Sequence, residues 1–438
     1  MLGNWTGVVV FAVAIVLSIV LGEKLKINQG IFALSFALVI GGICGIAPTA
    51  VISKCFPTSV LYLLLITTFF YGFMNENGLI KALSNWLIWT FRKKPAWIPF
   101  IMFASAFLVS ALGAGGEGSI MVLSPLFFAL ALDTGIDPIL AVISCACGAC
   151  SAGFLFWVGG GAFMIGIIEQ FTDYTTAFAT MEGSALTAII SGIILLVIFY
   201  LFTKGYKAKK TEMLEKPEPM TGKQKTSLWI VIVAIICVVG FPLLNIMFHS
   251  ILLQKLAQFF NIRTVATFGT LACLLTRCAD EKAVISRRIP WNLLIMLCGV
   301  MTLISLMGET GTVEFIISLV SGSIAPKLAI ILLFIFCMVL GAVTSGLTVI
   351  ALCAQLVPVL AAATALPTAL LMTACLVGTN AMFISPYSVG GAMALSGCPD
   401  ELRNLVIRKQ YLAVAIHAVI SFILVVTGAS DLFTNLFL

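Results

Sequence analysis

The 438-residue chain is poor in charge: 24 Lys and Arg, 18 Asp and Glu and two His, so that 10% of residues are charged and 61% are apolar. Soluble domains carry about 25% charged residues, and so few polar side chains cannot cover a water-exposed surface. This scarcity excludes a soluble fold and a disordered chain. It also excludes a nucleic-acid binder, because the net charge of +6 is spread over loops with no basic domain. HExxH, GxSxG and Walker-type sequences are missing and no nucleophile–base pair stands out, so an enzyme is not expected. The 13 Cys lie mostly within apolar runs and read as small packing residues rather than a disulfide framework. Cys145, Cys147 and Cys150 do not share one helix face, and no metal site or cofactor is expected. His249 and His417 each stand alone and read as incidental.

What is present is apolar length. A run of about 20 residues crosses ~30 Å of hydrocarbon as a helix. Such runs occupy 5–21, 29–47, 57–74, 184–203, 227–248, 291–307 and 411–428, with a shorter one at 263–276. The regions 97–132, 138–170 and 327–395 are also apolar but interrupted. Segment 5–21 has no cation before it and Lys24 and Lys26 after it, the reverse of a secretory signal peptide, so it is kept as a span. Those lysines place its end in the cytoplasm and the N-terminus outside.

If 97–132 and 328–362 each enter and leave on one side, 20 of the 24 basic residues fall in the cytoplasm. Only Lys54, Lys255, Arg263 and Lys327 are then outside, and the C-terminus is outside too. The loop 169–183 has three acids and no base and reads as external. Trp86, Trp89 and Trp97 flank Arg92, Lys93 and Lys94 and read as interfacial anchors.

The stretch 204–226, with seven lysines and two prolines, reads as a solvated cytoplasmic linker. On either side the same events recur. The expected fold is an all-α integral membrane protein built from two inverted repeats, 1–203 and 227–438. Each has a re-entrant helical hairpin (97–132 and 327–362) and a broken transmembrane helix (138–170 and 367–395). Secondary transporters place their ligand near the midplane, where such breaks meet.

The first tip, Gly113 to Ser119, contains Gly115, Gly116, Glu117 and Gly118. Glycines allow a tight turn, and the amides that open the next helix complement a carboxylate. Glu117 is the one acid expected at mid-membrane depth, and a candidate for proton or cation coupling. The second tip carries Thr344, Ser345, Gly346 and Thr348, whose oxygens suit Na⁺. The broken spans are interrupted at Ser151 and Gly153, at Thr379 and Asn380, and from Ser385 to Gly391, which includes Ser388. Candidate substrate contacts are Gly116, Glu117, Gly118, Ser119, Ser151, Thr344, Ser345, Gly346, Thr348, Asn380, Ser385 and Ser388. Candidate coupling residues are Gly115, Glu117, Gly153, Thr344, Ser345, Thr379 and Asn380. No Lys or Arg falls inside a break, so an anion would be held by amides and hydroxyls.

This arrangement resembles the divalent anion/sodium symporters of the ion transporter superfamily, with Pro125 and Pro358 at the family's hairpin prolines. A closer likeness is to bacterial malonate/dicarboxylate carriers. It rests on Ser124-Pro125, Gly-Ile-Asp-Pro at 135–138, Gly148 to Phe154, and Ser385 to Ala392. The resemblance implies uptake of a C3–C4 dicarboxylate, coupled to Na⁺ or H⁺, across a bacterial inner membrane. It also implies an elevator-type movement and a homodimer. The alternatives are a cation/proton antiporter or oxyanion exporter on the same plan, or the membrane subunit of a binding-protein-dependent carrier.

Overall fold

The computed structural model describes residues 4–91, 95–209, 216–248, 250–320, 325–342 and 346–438. His249, Arg92 to Lys94, part of the linker, and Thr344 and Ser345 of the second tip lie outside these. Among the described residues every regular element is helical. Eight helices among the described residues are long and apolar enough to cross a membrane, or nine if one bent pair is a single span.

The first half runs α1 (Trp5–Leu25), α2 (Gln29–Ile43), α3 (Pro48–Cys55), α4 (Thr58–Glu76) and α5 (Leu79–Phe91). It continues with α6 (Ile98–Val109), α7 (Gly116–Thr134), α8 (Ile139–Gly153), α9 (Gly159–Ile168) and α10 (Tyr174–Phe202). The second half runs α11 (Gly222–Phe248), α12 (Ile251–Phe259), α13 (Ile262–Leu275), α14 (Glu281–Arg287), α15 (Trp291–Glu309) and α16 (Thr312–Val320). After α17 (Pro326–Gly341) come α18 (Gly346–Cys353), α19 (Leu356–Thr364), α20 (Thr368–Ala381), α21 (Val389–Ala394), α22 (Asp400–Val426) and α23 (Ala429–Asn435).

Local chemistry repeats between the halves. Both α4 and α15 are 19 residues long, follow a proline N-cap (Pro57, Pro290), and end in a glutamate two residues before a glycine of positive φ. In the middle of α8, Gly148 lets the helix close on the Phe103 carbonyl, where a Cβ would stand 2.4 Å from the oxygen. In α20, Gly378 does the same against the Phe334 carbonyl at 2.6 Å. Both are backbone approaches that a side chain larger than hydrogen blocks. The halves also interlock. Gly299 of α15 packs on the Gly30 carbonyl of α2, while Gly269 of α13 packs on the Phe70 ring of α4.

The innermost elements are α8, buried from Ile139 to Ala152, and α20, buried from Leu371 to Ala381. A helix apolar on all sides belongs at a centre. The outer surface, by contrast, is studded with exposed Ile43, Leu201, Phe202, Phe248 and Leu275, as a lipid-facing surface requires.

Three boundaries differ from the sequence reading. The acidic stretch 169–183 is a loop only up to Asp173, which caps α10 by accepting the Thr176 N–H (3.0 Å) and hydroxyl (2.8 Å). Those bonds hold the Asp173 carboxyl below its ordinary range. Glu182 therefore belongs to a helix and not to a loop. The last long helix begins at Asp400, not near 411, because Asp400 and Glu401 suit a helix N-terminus. Its Lys409 pairs with Asp137, carrying charge beyond the apolar stretch. Finally, α18 and α19 meet at a 45° bend, since Pro358 has no N–H to give the Ala354 carbonyl. Pro125 sits inside an unbroken α7, where Gly397 leaves room for its ring and Ser124 Oγ donates to the Ala394 carbonyl at 2.7 Å.

Candidate functional site

One face of α4 sets the geometry. Leu64, Thr67, Thr68, Tyr71, Gly72 and Asn75 recur at helical spacing and line a cavity along about 16 Å of the helix. The cavity offers about 270 Å³ to the centres of water molecules. The first tip, both central half-helices and the start of α18 surround it.

The tip is a short π-turn, Ser110–Ala114, closed by Gly113 (φ 107°) and Gly115 (φ 70°). Gly113 is pressed against the Tyr71 ring, where a Cβ would come within 1.7 Å of Cδ1. The Tyr71 hydroxyl donates to the Trp157 carbonyl (2.7 Å), and the Trp157 indole donates to the Ala111 carbonyl (3.0 Å). Tip, α4 and the α8–α9 break are thus tied into one ring of contacts. The helix that follows, α7, has no side-chain cap, and its first residues Gly116, Glu117 and Gly118 face the cavity. Those amides carry the partial positive charge of a helix N-terminus.

The α8–α9 break adds a second opening of the same kind. Gly159 and Gly160 begin α9 without a side-chain cap and line the cavity, as does Gly153 at the end of α8. Thr379 and Asn380, at the carbonyl end of α20, line it from the other half. The break after α20 is closed instead. Ser388 caps α21 by accepting the Gly391 N–H (3.1 Å), and Gln410 donates to the carbonyls of Ile384 (2.7 Å) and Gly391 (3.2 Å).

The expected site residues therefore divide. Gly115, Gly116, Glu117, Gly118, Gly153, Gly346, Thr379 and Asn380 line the one cavity. Five stand apart from it, each because its hydroxyl serves the backbone or another wall. Ser119 donates to Gly115 (2.6 Å), Ser151 to Cys147 (2.7 Å) and Ser385 to Ala342 (3.1 Å). Ser388 is the cap just described, and Thr348 faces a second cavity between α1, α2 and α15. Thr344 and Ser345 lie outside the described residues.

The structure also brings in residues that no motif announced. Thr67, Thr68, Tyr71 and Asn75 arrive on α4, and Arg288 from the turn before α15. Their signal was the polar spacing on one face of an otherwise apolar helix. Glu182 reaches the back of the first break, where it accepts the Phe156 N–H at 3.3 Å. His417 is buried between the halves, with Nδ1 3.1 Å from the Ala381 carbonyl and Nε2 3.2 Å from Ser191 Oγ.

Residues 5–378 match the CitMHS family, described as citrate transporters. The chain belongs to that citrate transporter family. A membrane transporter is thereby established and an enzyme is not. The matched stretch includes the first tip and the first break but stops two residues before Asn380. The YdaH transporter of Alcanivorax borkumensis, described as having an unusual topology, superposes with a TM-score of 0.60. That match has 13% identity and covers 87% of this chain and 88% of that one, which shows a shared fold. MtrF of Neisseria gonorrhoeae, described with a class of antimetabolite efflux pumps, gives 0.49 at 14% identity, covering 86% and 82%. No curated protein sequence matches the chain.

Proposed function

We propose that this member of the citrate transporter family is a cation-coupled secondary transporter of small carboxylates. Citrate is the first candidate, with C3–C4 dicarboxylates such as malonate and succinate beside it. One observation carries the reading: the uncapped N-termini of α7 and α9 and the carbonyl ends of α8 and α20 converge on one cavity. The first pair complements carboxylates, and the second, with Glu117 and Asn380, complements transported Na⁺ or H⁺. A co-bound cation lowers the net charge that has to cross, and with it the desolvation cost. No other cofactor enters.

In this reading the halves are inverted repeats and the hairpins re-enter the membrane. The cavity opens at the Glu76 end of α4, on the basic cytoplasmic side, with both termini outside in a bacterial inner membrane. The hairpins and broken helices move against α1, α2, α4 and their counterparts, elevator fashion, within a homodimer. The division of basic charge and the matching order of elements support it.

The test is uptake of labelled citrate by the purified protein in proteoliposomes, with a Na⁺ or a pH gradient imposed. Saturable uptake that one gradient drives and malonate or succinate competes for is the expected result. Uptake indifferent to both gradients removes the coupling, and absence of uptake for any carboxylate removes the reading. Cross-linking in the bilayer checks the dimer.

A further inference from the structure

The cavity wall is nearly neutral. Among the described residues it holds one acid, Glu117, and one base, Arg288. Resting on the carboxylate reading above, we infer that Arg288 binds a substrate carboxylate at the cavity mouth by leaving Glu76 for it.

Arg288 is the C-cap of the short helix α14, and its stem is fixed against α4, where a Cβ on Gly72 would lie 3.0 Å from its own Cβ. Its Nε–H donates to Glu76 Oε2 at 2.7 Å. Arg287 reaches the other oxygen of the same carboxylate at 3.5 Å. Two guanidinium groups on one carboxylate leave a formal charge of about +1 at the mouth. Among the described residues neither Nη of Arg288 makes a hydrogen bond, so the end of the guanidinium fork stays available to the cavity. That fork matches a carboxylate in two parallel bonds.

The position suits a molecule with more than one carboxylate. Asn75, next to Glu76, has its Nδ2 3.9 Å from where a Cβ on Gly118 would stand. The amides that open α7, Asn75 and Arg288 all line the same cavity. One carboxylate of a small polycarboxylate rests on the amides while another takes the fork. Glu76 takes Arg288 back when the substrate leaves, so the guanidinium that lines the cavity keeps a carboxylate partner in the empty state.

The second half supplies its own control. Glu309, which ends α15 as Glu76 ends α4, pairs with Lys54 of α3 at 3.1 Å. Neither residue lines the cavity. Any purely structural value of such a pair belongs to both, and carboxylate binding to Arg288 alone.

The experiment is citrate kinetics in proteoliposomes for wild type, Arg288→Gln, Arg288→Lys, Glu76→Gln and Lys54→Gln, with melting temperatures in detergent. Removing the fork raises the citrate KM about tenfold or more in Arg288→Gln and leaves Vmax within about twofold, as loss of uniform binding does. Arg288→Lys falls between, because the ammonium keeps the charge without the fork. Glu76→Gln, which removes the competitor, lowers KM about threefold, and Lys54→Gln leaves it within about twofold. If Arg288→Gln does not fold, the opposite KM shifts of Arg288→Lys and Glu76→Gln carry the test. Unchanged KM with lower Vmax and melting temperature makes the pair a clamp between α14 and α4 and overturns the inference. Wild type that takes up no carboxylate overturns the transport reading first, and the inference with it.

Discussion

The Cys150 thiol donates to Asn380 Oδ1 at 2.9 Å, though the two residues stand 230 positions apart. Cys150 lies near the end of α8 and Asn380 near the end of α20, so this bond joins the two broken helices at the cavity wall. The bond ties together the two helix ends that line the cavity.

That bond leads to the first prediction. Cys150→Ser keeps a donor at the same place, and citrate uptake stays within about threefold of wild type. Cys150→Val leaves the Asn380 oxygen buried without its partner and costs about 1–3 kcal/mol in thermal unfolding. Asn380→Leu removes a polar group from the wall and lowers uptake more than about tenfold. Wild-type transport by Asn380→Leu would take Asn380 out of the site.

Gly113 and Gly115 both require positive φ, but only Gly113 is pressed against another residue, Tyr71. Gly115→Ala meets open space, but φ 70° with ψ 169° is backbone essentially reserved for glycine, and the variant costs about 1–3 kcal/mol. Gly113→Ala has to displace a ring fixed by its bond to Trp157, and monodisperse protein is lost on fluorescence-detected size exclusion. Equal yields of the two variants would contradict the tip geometry.

Glu117 opens α7 inside the cavity. Glu117→Gln keeps the hydrogen-bonding shape and removes the titrating group. Citrate binding by thermal shift is retained, while uptake no longer responds to an imposed pH gradient. Uptake that follows the gradient as wild type does would return Glu117 to a capping role in the first turn of α7.

Glu182 holds the first break from behind through the Phe156 N–H. Glu182→Gln keeps an acceptor there, so stability and the pH profile of uptake change little. Glu182→Ala leaves that N–H unpaired and costs about 1–3 kcal/mol by thermal unfolding. A displaced pH profile in Glu182→Gln would move the coupling proton from Glu117 to this residue.

Much of the plan was legible in the chain. The apolar runs and the sparse basic residues marked the spans, because crossing hydrocarbon demands length and penalises charge wherever it occurs. The glycine tip at 113–118 and the end of α8 at Gly153 were legible too, since unwound backbone needs residues that tolerate it. The break expected at Thr379 and Asn380 comes later, after Ala381, because both residues keep their place in α20. The hydroxyls misled. Ser119, Ser151, Ser385 and Ser388 are the residue types a site uses, and also those a buried backbone uses to satisfy itself.

Sequence alone determined that the protein is helical and lies in a membrane, because those properties depend on composition and local order. Only the tertiary structure decided which faces meet. It set Glu182 behind the first break and Asn380 beside Cys150. It brought Arg288, one of the 20 basic residues assigned to the cytoplasmic side, to the wall of a cavity that has no other positive side chain among the described residues. Pairing across more than 200 positions follows from helix packing, where glycines such as Gly72, Gly299 and Gly397 let particular faces approach. The low charge that identified a membrane protein also makes that one arginine count, since Glu117 is the one other charged side chain among the described residues of the cavity wall.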